Sequence, residues 1–114
     1  MAIPRLKGPH RLASSEIETL IAYWRLGVYA LGSIGPDGSI KVAYVGRAEE
    51  GLSEQLKRHI GRYEAFAYAF ATSIVDAYDM ECRLYHHFKP PDNHAHPARP
   101  SSSDWPCPVC REFG

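Results

Sequence analysis

The chain lacks an excess of charge of either sign. Its 13 Lys and Arg residues balance its 13 Asp and Glu residues, so the formal net charge is zero when the six His are neutral. A basic excess is the usual signature of a nucleic-acid-binding domain, because the phosphate backbone is polyanionic. The composition therefore gives no support for a nucleic-acid partner, and any such function has to be argued from motifs.

Long apolar segments and a cysteine framework are absent as well. No apolar run approaches the roughly 18 to 20 residues that a membrane span requires. The first residues, MAIPRLKGPHR, lack the apolar core of a signal peptide. Three Cys in a chain that is 45% hydrophobic do not make a disulfide scaffold. We therefore expect an intracellular, cytoplasmic protein with reduced thiols and no membrane partner.

The length of 114 residues allows one domain with a modest core. Residues 1–13 predict an extended basic arm, because the first eleven residues carry basic side chains, two Pro and no acid. Residues 98–114 form a tail rich in Pro, Ser and Cys. We expect the folded domain to occupy residues 14–97.

The segments of this domain predict an α/β protein of the α+β type. Two β-rich runs, 27–31 and 41–46, flank the strong turn sequence Gly35-Pro36-Asp37-Gly38 and predict a β-hairpin. Alternation of small and large residues over 65–71 favours a third strand. Capping signals and apolar periodicity predict helices over residues 15–24, 52–61 and 73–88. We expect a small three-stranded antiparallel sheet flanked by helices.

Glu81 interrupts the apolar face of the last predicted helix. The residues of that face follow the i, i+3, i+4, i+7 spacing: Ile74, Ala77, Tyr78, Leu84, Tyr85 and Phe88. An unpaired carboxylate is costly to bury, so Glu81 needs a cation, a group of donors or an opening to solvent. We interpret it as a metal ligand or site residue. The alternative is a rotated helix with Glu81 at the edge of the face, paired with an Arg.

Tyr29 and Tyr44 lie on the two arms of the hairpin, each within a Gly-containing tripeptide. A two-residue turn at Pro36-Asp37 would place them directly opposite each other on one face of the sheet. A three-residue loop with a bulge would instead turn one Tyr away. An ordinary cross-strand packing pair is the structural alternative to a functional role.

Five features in a fixed order resemble the GIY-YIG endonuclease superfamily. They are the tripeptides Gly27-Val28-Tyr29 and Tyr44-Val45-Gly46, a helix ending at His59, Glu81 on a later helix and Asn93 beyond it. The resemblance covers about residues 27–97. It implies a three-stranded antiparallel sheet flanked by helices, and a domain that hydrolyses DNA phosphodiester bonds with one divalent metal.

The resemblance also implies roles for individual residues. Glu81 matches the family's metal ligand, and one carboxylate completed by water and phosphate oxygens suits Mg²⁺ or Mn²⁺. Tyr29 matches the proposed general base, whose pKa near 10 must be lowered by a metal or a nearby cation for that role. Tyr44 would orient water or phosphate, and Asn93 would support the site.

Gln55 stands where the family usually carries an Arg, about one turn before His59. A neutral amide cannot replace a fixed cation at the scissile phosphate. Of the nearby candidates Arg47 and Arg58, we predict Arg47 as the substitute; the alternative is a solvated Arg at a strand end. Gln55 also fits a catalytically degenerate domain that only binds nucleic acid. His59 either assists proton transfer or phosphate contact, or simply caps its helix.

The tail carries a second candidate metal site. Cys107 and Cys110 have the spacing of a zinc knuckle, and two further ligands must come from elsewhere. His94 and His96 lie upstream in the same loop, and His86-His87 ends the last helix. We predict structural Zn²⁺ bound by His94, His96, Cys107 and Cys110, with free thiols on a mobile tail as the alternative. Cys82 is interpreted as a buried thiol without chemistry.

Three functional hypotheses follow from these motifs. The first is a Mg²⁺-dependent DNA endonuclease, and the second is a degenerate nucleic-acid-binding domain. The third is a protein-interaction module whose tail is clipped by zinc. For an isolated nuclease domain, we also expect a partner protein or a homodimer to help it reach its target.

Overall fold

The structure, a computed structural model, describes residues 3–100 and 105–110. Its helices and strands follow one another in this order: β1 (Lys7–Arg11), α1 (Ser14–Leu20), β2 (Gly27–Ile34), β3 (Ile40–Ala48), α2 (Leu52–Lys57), β4 (Ala65–Phe70) and α3 (Ile74–Phe88). The strands form one antiparallel sheet in the order β1-β4-β2-β3. The predicted α+β class, with an antiparallel sheet and three helices, is therefore confirmed.

The predicted count of three strands is wrong, because the sheet has four. The fourth is β1, which lies within the predicted basic arm and pairs with β4, with Lys7 opposite Tyr68 and Arg11 opposite Ala65. The segment Lys-Gly-Pro-His-Arg shows no alternation of apolar residues that would signal a strand. Pro9 is tolerated because β1 is an edge strand, where one side of the backbone needs no ladder partner.

The hairpin register differs from the prediction that placed Tyr29 directly opposite Tyr44. Tyr29 pairs with Gly46, and Tyr44 pairs with Leu31. The connection is a five-residue loop between Ile34 and Ile40 rather than a two-residue turn, and a bulge follows Leu31. Each change shifts the register by one residue. Because the total shift of two is even, the two tyrosines stay on one face, as diagonal neighbours.

The helices pack on opposite faces of the sheet. One core cluster joins α1 and α2 to the inner residues of β2 and β4 and contains Ile17, Leu56, Tyr29, Leu31, Phe66 and Tyr68. The other joins α3 to the opposite face and contains Val28, Ala30, Val45, Ala69 and Leu84. The alternation of Val28 and Tyr29 between the two clusters is the period of two that a strand buried on both faces requires.

Two helices are shorter than predicted and one agrees. Helix α1 ends at Leu20, so Trp24 lies outside it and is 61% exposed, and Ala13 occupies the N-cap position without a side-chain hydrogen bond. Helix α2 ends at Lys57, which places His59 in the following turn. Helix α3 begins as predicted, since the Asp76 backbone N–H donates to Ser73 Oγ at 3.1 Å.

The segment after α3 folds along the free edge of β3. The Asp92 backbone N–H donates to the Ala43 carbonyl at 2.8 Å. The Asn93 side chain accepts from the Val45 N–H at 2.8 Å and donates to the Val45 carbonyl at 2.9 Å. Asn93 thus takes the place of a neighbouring strand and covers an otherwise open sheet edge.

None of the helices in residues 3–100 and 105–110 combines the length and the apolar character needed to cross a bilayer.

Candidate functional site

Tyr29, Tyr44 and His59 form a packed aromatic group on the α2 face of the hairpin. The ring centroids of Tyr29 and Tyr44 are 6.3 Å apart, and those of His59 lie 5.6 Å from Tyr29 and 5.5 Å from Tyr44. The Tyr29 hydroxyl is 3.3 Å from His59 Nε2, and Gln55 Nε2 donates to the same hydroxyl at 3.3 Å. The structure therefore brings three predicted site residues together and adds Gln55 to them.

The glycines of the two tripeptides are explained by steric fit. A Cβ at Gly46 would lie 2.5 Å from the Tyr29 hydroxyl, so the phenol can cross β3 only where the side chain is absent. A Cβ at Gly27 would overlap the carbonyl oxygen of Ala69 on β4. Gly46 thus fixes the position of the Tyr29 hydroxyl, and Gly27 permits close pairing of two strands.

The aromatic group is neutral. Burial raises the pKa of Tyr29, and the neighbouring Tyr44 and Glu81 raise it further, outweighing Gln55, which lowers it. Burial and Glu81 also raise the pKa of Tyr44. Burial, followed by the Arg62 charge, lowers the pKa of His59 below its usual 6.5. Two neutral phenols therefore contact an imidazole that stays neutral at physiological pH.

His59 has one ring nitrogen in use and one unused. Nε2 meets the Tyr29 hydroxyl, whereas Nδ1 is buried without a hydrogen-bond partner. Buried polar atoms are almost always hydrogen-bonded, because a buried atom without a partner has lost its hydrogen bonds to water and gained none within the protein. The unpaired nitrogen sets His59 apart from a residue that serves only to cap a helix.

Arg47 and Glu81 form a buried ion pair between β3 and α3. Arg47 Nη1 lies 2.6 Å from Glu81 Oε1, and the two side chains are 13% and 9% exposed. Arg47 Nη2 lies 2.8 Å from a Glu49 oxygen. Glu81 is buried rather than at the edge of the apolar face, but it is paired with an Arg, as the alternative expected. Burial raises the pKa of Glu81, and Arg47 offsets part of that shift.

The aromatic group and the ion pair lie on opposite sides of edge strand β3. Arg47 shares the face of Val45, which packs toward α3, whereas Tyr44 faces α2. The two groups are nevertheless close enough for the Glu81 charge to raise the pKa of both tyrosines. Arg47 is the last residue but one of β3, so the ion pair lies close to the end of that strand.

A cleft of about 510 Å³ opens at this end of β3. Its lining residues come from the end of β3, the following turn and α2: Arg47, Ala48, Glu49, Glu50, Gly51, Glu54, Gln55 and Arg58. Arg58 Nη1 donates to Gln55 Oε1 at 3.3 Å, which links the cleft to the Tyr29 hydroxyl through the Gln55 amide. The cleft therefore connects the ion pair to the aromatic group.

The predicted zinc ligand set is corrected at one position. The four side chains brought together are His86, His96, Cys107 and Cys110, whose ligand atoms all lie within 4.8 Å of one another. His94 is exposed and is not among them. His86 replaces it because the helix directs His86 to the face that carries Cys82, four residues earlier. This cluster can hold a metal ion, and two thiol ligands are unsuited to Mg²⁺.

Cys82 and Cys107 are in contact beneath this cluster. Both are fully buried and pack with Tyr78 in one apolar group. Burial and the neighbouring Cys107 raise the pKa of Cys82, as expected of an inert thiol. Burial alone would raise the pKa of Cys107, but backbone hydrogen bonds from Cys110 and Val109 and side-chain hydrogen bonds from His96 and Cys82 lower it to about 6.

Comparisons of the chain with protein-family models, with curated proteins and with solved structures find no match. The function therefore has to be argued from the site itself.

Sequence reasoning missed two participants in these sites. The family resemblance treats Gln55 as a missing cation, whereas the structure shows that its amide donates a hydrogen bond to the Tyr29 hydroxyl. His86 was set aside in favour of His94, although its spacing of four from Cys82 already indicated the same helix face. A helical-face count would have found His86, but the Gln55 contact depends on the fold of two distant segments.

Proposed function

We propose that this protein is a metal-dependent endonuclease of the GIY-YIG type, which hydrolyses DNA phosphodiester bonds. The observation that carries the proposal is the joint placement of the Tyr29, Tyr44 and His59 group beside the Arg47–Glu81 pair at the end of edge strand β3. Five polar or aromatic side chains from separate parts of the chain, two of them extensively buried, are more than a packing core needs.

Glu81 is the residue that would hold the catalytic cation, Mg²⁺ or Mn²⁺. A single carboxylate fits this type of ion, which retains water and takes its remaining ligands from substrate phosphate. Arg47 contacts Oε1, so a cation would have to share the carboxylate with this Arg, and we expect weak binding until DNA supplies further oxygens. When bound, the cation supplies polarisation of a phosphoryl oxygen and neutralises the leaving group.

Tyr29 and His59 would move the proton that leaves the attacking water. The raised pKa of Tyr29 means that the phenol does not ionise on its own. His59 Nε2, 3.3 Å from the hydroxyl, is neutral and can accept the phenolic proton as the Tyr29 oxygen takes one from water. Tyr44 lies beside both rings and is less buried than Tyr29, so its hydroxyl can orient water or phosphate.

Arg47 would stabilise charge on the scissile phosphate. It lines the cleft and carries a permanent positive charge, which is what a phosphoryl transition state requires. Glu49 and Glu81 both pair with it before substrate arrives. A phosphate that enters the cleft therefore competes with Glu49 for the guanidinium, while the contact to Glu81 keeps the guanidinium in place.

A second candidate, a domain that binds nucleic acid without cutting it, is favoured by one observation. Gln55 occupies the expected Arg position. Its side-chain amide donates a hydrogen bond to the Tyr29 hydroxyl and accepts one from Arg58. In this second function, the Arg47 guanidinium that contacts Glu81 is already neutralised by two carboxylates. DNA would then bind through the basic side chains with a salt-dependent affinity and remain intact.

Cleavage of supercoiled plasmid separates the two functions. The nuclease proposal predicts nicks in Mg²⁺ or Mn²⁺ and none after chelation with EDTA. The binding-only function predicts no nicks in either condition, salt-dependent binding of a fluorescent duplex, and cleavage gained by Gln55→Arg. A protein that neither nicks nor binds DNA at low salt, with or without divalent cations, would exclude both and leave the protein-interaction module.

A further inference from the structure

Two histidines and two cysteines, none of which lines the cleft, converge near the C-terminal end of α3. His86 lies in the last turn of α3, His96 follows in the next loop, and Cys107 and Cys110 come from the described part of the tail. His86 Nε2 lies 3.2 Å from His96 Nε2, and Cys110 Sγ lies 3.4 Å from the same nitrogen. Three separate parts of the chain thus aim ligand atoms at one point.

Two of the separations among these atoms match the edges of a tetrahedral zinc site. Zinc binds nitrogen at about 2.0 to 2.1 Å and sulfur at about 2.3 Å, which gives tetrahedral edges of about 3.3 Å for N···N and about 3.6 Å for N···S. The observed separations of 3.2 Å and 3.4 Å are within a few tenths of an ångström of these values. These two edges suit a zinc ion, and all four ligand atoms lie within 4.8 Å of one another.

A backbone carbonyl fixes the tautomer of His96 that can bind a metal through Nε2. His96 Nδ1 lies 3.0 Å from the Pro97 carbonyl, which can only accept, so Nδ1 carries the proton. Nε2 therefore presents its lone pair to the cluster, in the arrangement by which a carbonyl fixes a ligating imidazole. His86 Nε2 and Cys110 Sγ both lie close to this lone pair.

Cys82 supports the cluster without belonging to it. It is buried, pairs by a hydrogen bond with Cys107 and lies four residues before His86 on α3. Its thiol would donate to the Cys107 sulfur, the arrangement of an outer-shell partner that tunes a thiolate ligand. The ligand count therefore stays at four.

We propose that His86, His96, Cys107 and Cys110 bind one Zn²⁺ ion in a closed structural site that fastens the tail to α3. Two thiolates and two imidazoles are a structural zinc set, and four protein ligands leave no position for a reactive water. The site is independent of the proposed nuclease. It fixes Cys107 against Tyr78 and Cys82 and thereby covers the surface of α3 next to Glu81.

The test is metal analysis of the purified full chain, with matched variants. Wild type expressed with added zinc should hold one zinc per chain, and its cobalt form should show tetrahedral d–d and thiolate charge-transfer absorption. His86→Asn and Cys110→Ser should each weaken zinc affinity by more than the roughly 10- to 100-fold that loss of an outer-shell partner causes. His87→Asn is the matched control, because His87 is the exposed neighbour of His86, and it should keep the metal.

One further variant and one check of folding keep the test decisive. His94→Asn should retain zinc, which separates this ligand set from one that uses His94. Cys110 is exposed, so Cys110→Ser should stay folded, as circular dichroism can check, and report on the metal alone. The proposal is overturned if folded wild type takes up no zinc from a competing chelator, or if His87→Asn loses as much metal as His86→Asn.

Discussion

Arg47 Nη1 lies 2.6 Å from Glu81 Oε1, and this contact joins edge strand β3 to helix α3. Each partner is expensive to bury alone, and the pair satisfies both charges where little water reaches them. The contact also defines the candidate site, since Arg47 lines the cleft and Glu81 influences both tyrosines.

Removing one member of this pair should be more harmful than removing both. Arg47→Leu leaves the Glu81 carboxylate buried and unpaired, so we expect the free energy of unfolding at pH 7 to fall by about 3 kcal/mol. Arg47→Leu combined with Glu81→Leu should recover most of that loss. Urea denaturation of the wild type, both single variants and the double variant measures the coupling. Additive losses would show that the two side chains do not act as a pair.

We expect Tyr29 to keep its position only if residue 46 has no side chain. Gly46→Ala places a methyl carbon 2.5 Å from the Tyr29 hydroxyl oxygen, so we expect the free energy of unfolding to fall by about 1 to 3 kcal/mol through overpacking. The near-ultraviolet circular dichroism of the tyrosines should change with it. Gly51→Ala is the control, because its Cβ would meet only ordinary contacts, the nearest at 3.4 Å. Equal effects of the two substitutions would argue against the Tyr29 contact.

His59 should make the folded protein sensitive to mild acid. Its pKa is lowered by burial and by Arg62, so the unfolded chain, with a pKa near 6.5, takes up the proton first as the pH falls. Stability contributed by neutral His59 is complete above pH 6.5 and declines below it until the folded pKa is reached. Between pH 7.5 and 5, His59→Gln should therefore lose less stability than wild type or the His87→Gln control. If His59→Gln lost as much stability as wild type over this pH range, the lowered pKa of His59 would be contradicted.

Asn93 should stabilise the fold through the edge of β3 rather than through chemistry. Asn93→Asp keeps an acceptor for the Val45 N–H but sets a carboxylate oxygen against the Val45 carbonyl, so we expect a loss of about 1 to 3 kcal/mol. Asp92→Asn at the exposed neighbouring position is the control and should cost much less. Thermal unfolding of both variants gives the comparison, and an unchanged melting temperature for Asn93→Asp would refute this role.

Local patterns in the sequence predicted most of the fold. The Gly-Pro-Asp-Gly turn predicted the hairpin, alternation over 65–71 predicted β4, and Ser73 with Asp76 predicted the start of α3, all as observed. Strand β1 was missed because its strand character comes from pairing with β4, which lies more than 50 residues away. Backbone pairing of this kind leaves no alternation in the sequence of an exposed edge strand.

The sequence predicted which residues belong to the candidate site better than it predicted how they are arranged. Glu81 could be identified because a carboxylate on an apolar helix face is conspicuous. Its pairing with an Arg was one of the open alternatives, and the packing of α3 on β3 identifies that Arg as Arg47. The positions of Tyr29 and Tyr44 depended on a loop length and a bulge, each of which changes the register by one residue without an obvious sequence signal.

Plasmid nicking by wild type, Glu81→Gln and Asp79→Asn in Mg²⁺ gives the sharpest test of the proposed nuclease. Asp79 lies on the same helix but pairs with Arg83 and has no part in the site, so it controls for changes to α3. The proposed nuclease predicts that Glu81→Gln lowers the nicking rate by about 100-fold or more, because charge stabilisation of several kcal/mol is lost. Asp79→Asn should retain the wild-type rate. Equal nicking by Glu81→Gln and wild type, in preparations of equal stability, would contradict the account.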